Sequence, residues 1–351
     1  MSRQPSFRVA VLGATGMVGQ WLIHLLDRHP WFQVVALTGS DRSVGRPYGE
    51  ACRWLLGAPM PDWAARMPVL PTEPGFEADL VISALPSEIA REAEPRFAAA
   101  GYLVASNASA YRMAPDVPLL MPDVNFDHLA LLARQRDERG WTGALLTNPN
   151  CTTTAAVLPL KALMPYGVRR VHLVSLQALS GAGYPGVSAM EIVDNILPHI
   201  PGEEEKLETE PRKLLGRLTD GTVEEAPIRL SAQTNRVPTL DGHLVCLSVE
   251  LEERISPEQA MAAMAAYCPP EEVADLPTAV PMPIVVRREP DRPQPRLDRM
   301  AGGGMSVVVG RVQPCPVFTL KFVALTHNTI RGAAGAALFN AEALLRWLGR
   351  V

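Results

Sequence analysis

The chain has 351 residues, of which 47% are apolar and 20% charged, with a formal net charge of -4. That is material for two domains with packed cores. The lack of a basic excess argues against nucleic-acid binding, because nothing is available to neutralise phosphates, and no apolar run approaches the length of a membrane span.

The N-terminus carries one or two basic residues and leads into a short apolar run, Val9 to Leu12. A secretory signal would need a longer run and a cleavage site. The five cysteines, Cys52, Cys151, Cys246, Cys268 and Cys315, are dispersed and odd in number, with no C-x-x-C pair. Neither a disulfide framework nor a bound metal is expected, and the compartment expected is the cytoplasm.

Residues 7–12 read as a short buried strand, followed by Gly13-Ala14-Thr15-Gly16-Met17-Val18-Gly19. Helical spacing of apolar residues covers 20–29, and a second strand covers 33–38. A strand, a glycine turn and a helix start form a phosphate cradle, because the backbone can approach a pyrophosphate there and the helix end offers free N–H groups. Gly13, Thr15, Gly16, Met17 and Val18 are therefore candidate cofactor contacts. After the second strand, NAD sites usually present an acidic side chain. Here the segment is Ser40-Asp41-Arg42-Ser43. A guanidinium and two hydroxyls suit a 2′-phosphate, so Ser40, Arg42 and Ser43 point to NADP(H), with Asp41 read as the cap of a local turn. Residues 79–85 form another buried strand, and Ser83, Leu85 and Pro86 stand at its crevice end. A helix over 88–100 and a strand over 102–106 continue the alternation of a doubly wound sheet.

Asn148-Pro149-Asn150-Cys151-Thr152-Thr153-Thr154 precedes a helix-like segment over 155–164. Cys151 thus stands at or near a helix start, where free N–H groups favour thiolate. Cys246, in an apolar strand-like run, reads as a buried small hydrophobe. A thiolate nucleophile needs an acid/base partner. Among the seven histidines, His24 and His29 read as surface residues of the first helix region. His243 stands out, because it and Arg236 flank a turn-like Pro-Thr-Leu-Asp-Gly and could line one wall of a cleft.

These pieces, taken with Ser106-Asn107-Ala108-Ser109-Ala110-Tyr111-Arg112-Met113, Gln177 to Gly183, Gly202 to Lys206, and His327 to Gly335, occur in one order along nearly the whole chain. In that order the sequence resembles aspartate-semialdehyde dehydrogenase, of the archaeal and fungal-type branch. The resemblance implies NADP-dependent reductive dephosphorylation of 4-aspartyl phosphate to aspartate 4-semialdehyde through a cysteine thioester. A related acyl reductase is the alternative, acting on malonyl or succinyl thioesters of coenzyme A or on N-acetylglutamyl phosphate. A non-catalytic NADP-binding regulator on the same fold is a further one.

The resemblance also implies roles. Cys151 resembles the nucleophile, His243 the acid/base and Gln177 the amide that orients the acyl group. Arg236 resembles the grip on the α-carboxylate. The spacing of three from Lys206 selects Glu203 for the substrate amino group, with Glu204 and Glu205 as alternatives. Lys206 and Arg112 resemble the phosphate pair, and Asn150 and Cys151 could offer backbone N–H groups to the oxyanion. Ser180, Gly181, Gly183 and Asn328 resemble residues beside the nicotinamide. The fold implied is α/β: a doubly wound Rossmann domain over 1–149, an α+β catalytic and dimerisation domain with an open mixed sheet over 150–329, and a C-terminal helix within 330–351 returning to the first domain. The partners implied are an acyl phosphate or semialdehyde, phosphate, and further copies of the chain in a homodimer or homotetramer.

Overall fold

The computed structural model describes residues 7–351. Arg3 lies outside the described part. Six parallel strands come first: β1 (Phe7–Leu12), β2 (Phe32–Thr38), β3 (Val69–Leu70), β4 (Leu80–Ser83), β5 (Leu103–Ser106) and β6 (Ala144–Thr147). They pair in the order β3-β2-β1-β4-β5-β6. Each residue of β4, β5 and β6 is buried, as expected for strands covered on both faces. The order reverses beside β1, which opens the crevice where such sheets bind nucleotides.

The first helix runs Met17–Leu26, three residues ahead of what apolar spacing suggests. The turn before it closes early because Gly13 adopts φ +69°, and a Cβ there would lie 2.8 Å from the Ala84 carbonyl oxygen. His29 is not a surface residue. It is buried, and its Nε2 lies 2.8 Å from Glu342 Oε1 while its Nδ1 accepts from the N–H groups of Trp31 and Phe32. Tertiary contact with the last helix decides this, and no local pattern announces it.

The second sheet contains β7 (Val168–Gln177), β10 (Arg229–Arg236), β11 (His243–Leu251), β12 (Ile284–Val286), β13 (Val307–Pro314) and β14 (Leu320–Thr326), in the order β10-β7-β11-β14-β13-β12. A small ribbon, β8 (Arg217–Thr219) and β9 (Thr222–Glu224), stands apart. Helices Cys151–Leu163, Glu203–Leu214 and Pro257–Ala265 cover one face and share a core with Leu173, Val245, Leu247 and Phe322. Cys246 is exposed, contrary to the sequence reading. Val245, Leu247 and Val249 take the inner positions of β11, and the two-residue period turns Cys246 outward.

The last helix, Gly335–Trp347, packs on β4, β5 and β6 of the first sheet. A wider turn, Ile330–Ala334, precedes it, with Gly332 N–H donating to His327 O and Ala334 N–H to Thr329 O. Among the described residues no helix is long and apolar enough to cross a membrane.

Candidate active site

The carboxyl ends of β1, β4, β5 and β6 deliver Gly13, Ser83, Asn107 and the Asn148-to-Cys151 segment to one edge of the first sheet. In the second sheet β7 and β10 run parallel, with Arg236 in register beside Gln177. β11 runs antiparallel to β7 and β14, so His243 starts where its neighbours end. The two edges meet at Cys151.

Cys151 is the first residue of its helix, earlier than apolar spacing suggests. The Asn150 side chain caps that helix, its Oδ1 accepting from the N–H groups of Thr152 at 2.9 Å and Thr153 at 3.4 Å. Asn150 Nδ2 donates to Glu203 at 2.8 and 3.0 Å. Glu203 also accepts from Lys206 Nζ at 2.7 Å and from Gln177 Nε2 at 3.4 Å. Glu204 instead accepts from the Thr234 N–H, and Glu205 is exposed. Of the three glutamates, only Glu203 faces Cys151. Arg236 is buried, and its Nη1 donates to Ala178 O at 2.8 Å.

The electrostatics run against the expected thiolate. Part of Cys151 opens on a cleft of about 280 Å³ shared with Arg112, Asn150, Ser180, Gly181, Gly183, Asn328, Met17 and Val18. The protein packed around its sulfur nevertheless pushes the thiol up to about 12. Burial is the largest cause, Glu203 adds to it, and Arg112 and Arg236 pull the other way. Burial, then Arg236 and His327, push His243 down to about 3. The Ala178 N–H donates to His243 Nδ1 at 3.0 Å, which places the proton of the neutral ring on Nε2. That Nε2 is buried without a partner. Cys151 and His243 make no hydrogen bond to each other; Gly181 lies between the cleft and His243.

Arg112 is buried, donating through Nη1 to Glu210 Oε1 and through Nη2 to Asn107 O, both at 2.9 Å. Arg112, Lys206 and Asn150 border a second cleft of about 260 Å³, together with Leu85, Pro86, Ser87 and Ser109. One expected donor is spent: the Asn150 N–H donates to Glu210 Oε2 at 2.6 Å, so it is not free for an oxyanion. Sequence reading missed Glu210, although Glu203, Lys206 and Glu210 follow one helical face at i, i+3 and i+7. It also assigned nothing to Gly332, where a Cβ would lie 2.6 Å from Cys151 Cβ.

A longer groove of about 730 Å³ runs from Gly13, Thr15 and Gly16 past Ser40 and Asp41 to Ala84, Leu85 and Pro86. Its glycine corner and helix start suit a dinucleotide pyrophosphate. Arg42 is exposed next to this groove, Ser43 is buried with its N–H donating to Ser40 O, and Ser83 lies fully buried beneath it. Asn328 spends its amide on protein, accepting from the Gly242 N–H and donating to Ser180 Oγ.

A nucleotide-binding sheet whose crevice meets a second, mixed sheet at one cleft defines a class, the two-domain nucleotide-dependent dehydrogenases. The semialdehyde dehydrogenase NAD-binding domain model matches residues 8–132, and the semialdehyde dehydrogenase dimerisation domain model matches residues 159–331. The chain belongs to the semialdehyde dehydrogenase family. It is 52% identical to the aspartate-semialdehyde dehydrogenase of Archaeoglobus fulgidus over 97% of this chain and 98% of that one. The solved structure of aspartate semialdehyde dehydrogenase with NADP from Candida albicans matches with a TM-score of 0.89 and 37% identity, covering 99% of this chain and 100% of that one. A malonyl CoA reductase (NADP) from Metallosphaera sedula is 38% identical over 97% of each chain.

Proposed function

We propose that this chain is an NADP-dependent aspartate-semialdehyde dehydrogenase, converting 4-aspartyl phosphate to aspartate 4-semialdehyde and phosphate. The observation that carries this reading is the charge set around Cys151. Arg112 and Lys206 border the cleft beside Asn150, Arg236 is buried near Gly181, and Glu203 faces inward. An aspartyl phosphate has a matching set: an anionic phosphate, an α-carboxylate suited to a guanidinium, and an α-ammonium group.

Cys151 Sγ attacks the acyl carbon, the bond from that carbon to the phosphate oxygen breaks, and a thioester remains while the thiol proton leaves with the departing phosphate. The groove from Gly13 to Pro86 would hold NADPH, which would supply the hydride to the acyl carbon, and breakage of the carbon–sulfur bond then frees the semialdehyde and Cys151. The neutral His243 ring carries its proton on Nε2, which lies behind Gly181 without a protein partner, and this makes it the donor suited to the oxygen on which negative charge develops. Gln177 is held by Glu203 at the end of β7, where it can orient the acyl group. Ser40 and Arg42 suit the 2′-phosphate, and Ser180 and Gly183 the nicotinamide side of the cleft.

The outer face of the second sheet carries half-exposed Val174, Leu176, Leu244 and Val323, and it supports pairing with a second copy in a dimer or a tetramer. The five cysteines are all free, which fits a reducing compartment, and the cytoplasm is the one proposed.

The relative that reduces malonyl-CoA favours a second reading, but a malonyl thioester has no ammonium group for Glu203 to meet. Rates with aspartate semialdehyde plus phosphate and NADP⁺ should exceed those with malonyl-CoA and NADPH. Cys151→Ala should lower the first rate at least about 10³-fold while NADP⁺ still binds. A faster malonyl-CoA reaction would replace this reading with the second, and full activity in the alanine variant would remove the thioester route.

A further inference from the structure

Glu210 is almost fully buried, at 1% exposure, one turn beyond Lys206 on the helix Glu203–Leu214. Its two carboxylate oxygens serve two different elements. Oε1 accepts from Arg112 Nη1 at 2.9 Å, and Oε2 accepts from the Asn150 N–H at 2.6 Å. The same helix holds the backbone around Arg112, since Lys213 Nζ donates to the carbonyls of Arg112, Ala114 and Val117 at 2.7 to 2.9 Å. With Nη1 and Nη2 both bonded to protein, the guanidinium cannot rotate freely, and its Nε is the nitrogen without a partner. Asn150 is held twice by this helix, at its side chain by Glu203 and at its backbone by Glu210.

We propose that Glu210 is a positioning residue for the reaction: its carboxylate locks the Arg112 guanidinium to the backbone immediately before Cys151, so that the cation for the leaving phosphate and the nucleophile keep one fixed separation. This rests on the proposed function in assigning phosphate to Arg112. Its two donors, one a guanidinium and one a backbone N–H, come from separate segments that both border the same cleft, so the carboxylate fixes them relative to each other. A neutral amide cannot replace it, because glutamine has one acceptor oxygen and turns an NH₂ group toward the other donor.

The test is Glu210→Gln, assayed in the oxidative direction with aspartate semialdehyde, NADP⁺ and inorganic phosphate. The KM for phosphate should rise about 10-fold or more, while the KM for the semialdehyde stays within about 2-fold. Calorimetric titration of the protein with inorganic phosphate should show a parallel loss of affinity. That arm stands even if aspartate semialdehyde proves not to be the substrate, so failure of the proposed function and failure of this assignment are distinguishable. A folded variant with unchanged phosphate affinity, by kinetics and by titration, overturns the assignment and leaves Glu210 a packing residue. Should the glutamine variant not fold, Glu210→Asp keeps the charge but is one methylene too short to span both donors. It is read in the same way, and unchanged phosphate affinity again overturns the proposal.

Discussion

Cys151 stands at a helix N-terminus, which favours thiolate, yet its surroundings hold the thiol protonated. The dipole of a helix start is worth about 1 kcal/mol near the surface, while taking a charged sulfur out of water costs more. Burial therefore outweighs position until a ligand changes the local charge. Glu203 raises the thiol further, and Arg236 lowers it. Removing the carboxylate in Glu203→Gln should shift the pH midpoint of Cys151 alkylation by iodoacetamide downward. Removing the cation in Arg236→Leu should shift it upward. Midpoints that do not move, or that move together, would show that these two charges do not set the thiol. The helix-start position expected from Asn150-Cys151 is present, and burial opposes the thiolate that this position favours. Part of the packing on Cys151 comes from Gly332 in the Ile330–Ala334 turn, distant in sequence.

At the scale of elements, the helix Cys151–Leu163 and the turn Ile330–Ala334 press directly on each other. A Cβ on Gly332 would lie 2.6 Å from Cys151 Cβ and 2.9 Å from its Cα. Neither partner is the flexible end of a side chain, so something structural must move. Gly332→Ala should cost about 1–3 kcal/mol of stability in chemical denaturation and should lower kcat, because the nucleophile shifts with its helix. A variant with native stability and full kcat would mean the turn yields without displacing Cys151. The elements themselves were largely legible. The strand runs over 7–12 and 102–106 and the helix near 88–100 follow from period and glycine punctuation. Helix starts were legible only to within a few residues, because Asn150 as a cap and Gly13 as a tight turn each extend a helix beyond its apolar stripe.

In the whole molecule, buried titratable groups link folding to pH. Burial raises Glu94 to about 7, with Ser106 and Ser83 as partners that lower it. A carboxyl whose folded value lies above the ordinary 4.5 contributes stability that is complete below 4.5 and is lost as pH rises through 7. His243 and His327 behave in the opposite way. Burial lowers them to about 3 and about 4, so the stability they contribute is present above 6.5 and is lost as pH falls. Glu94→Gln removes the first effect alone. Its stability relative to the wild type should therefore increase between pH 4.5 and pH 8, by on the order of 3 kcal/mol in urea titrations. A pH-independent difference would show that Glu94 does not ionise in this range.

The sequence by itself determined the alternation of the first sheet, the glycine corner at Gly13, and the ordered motifs that carry the family. These depend on local period, turn chemistry and residue identity, all of which are readable along the chain. The tertiary structure decided the rest. It turned Glu203 rather than Glu204 toward Cys151, committed the Asn150 N–H to Glu210, buried His29 against Glu342 and faced Cys246 outward. Each of these depends on which distant element supplies the partner. A charge or a hydrogen bond takes its value from the groups packed around it, and that packing is settled only when the two sheets and the returning C-terminal helix come together.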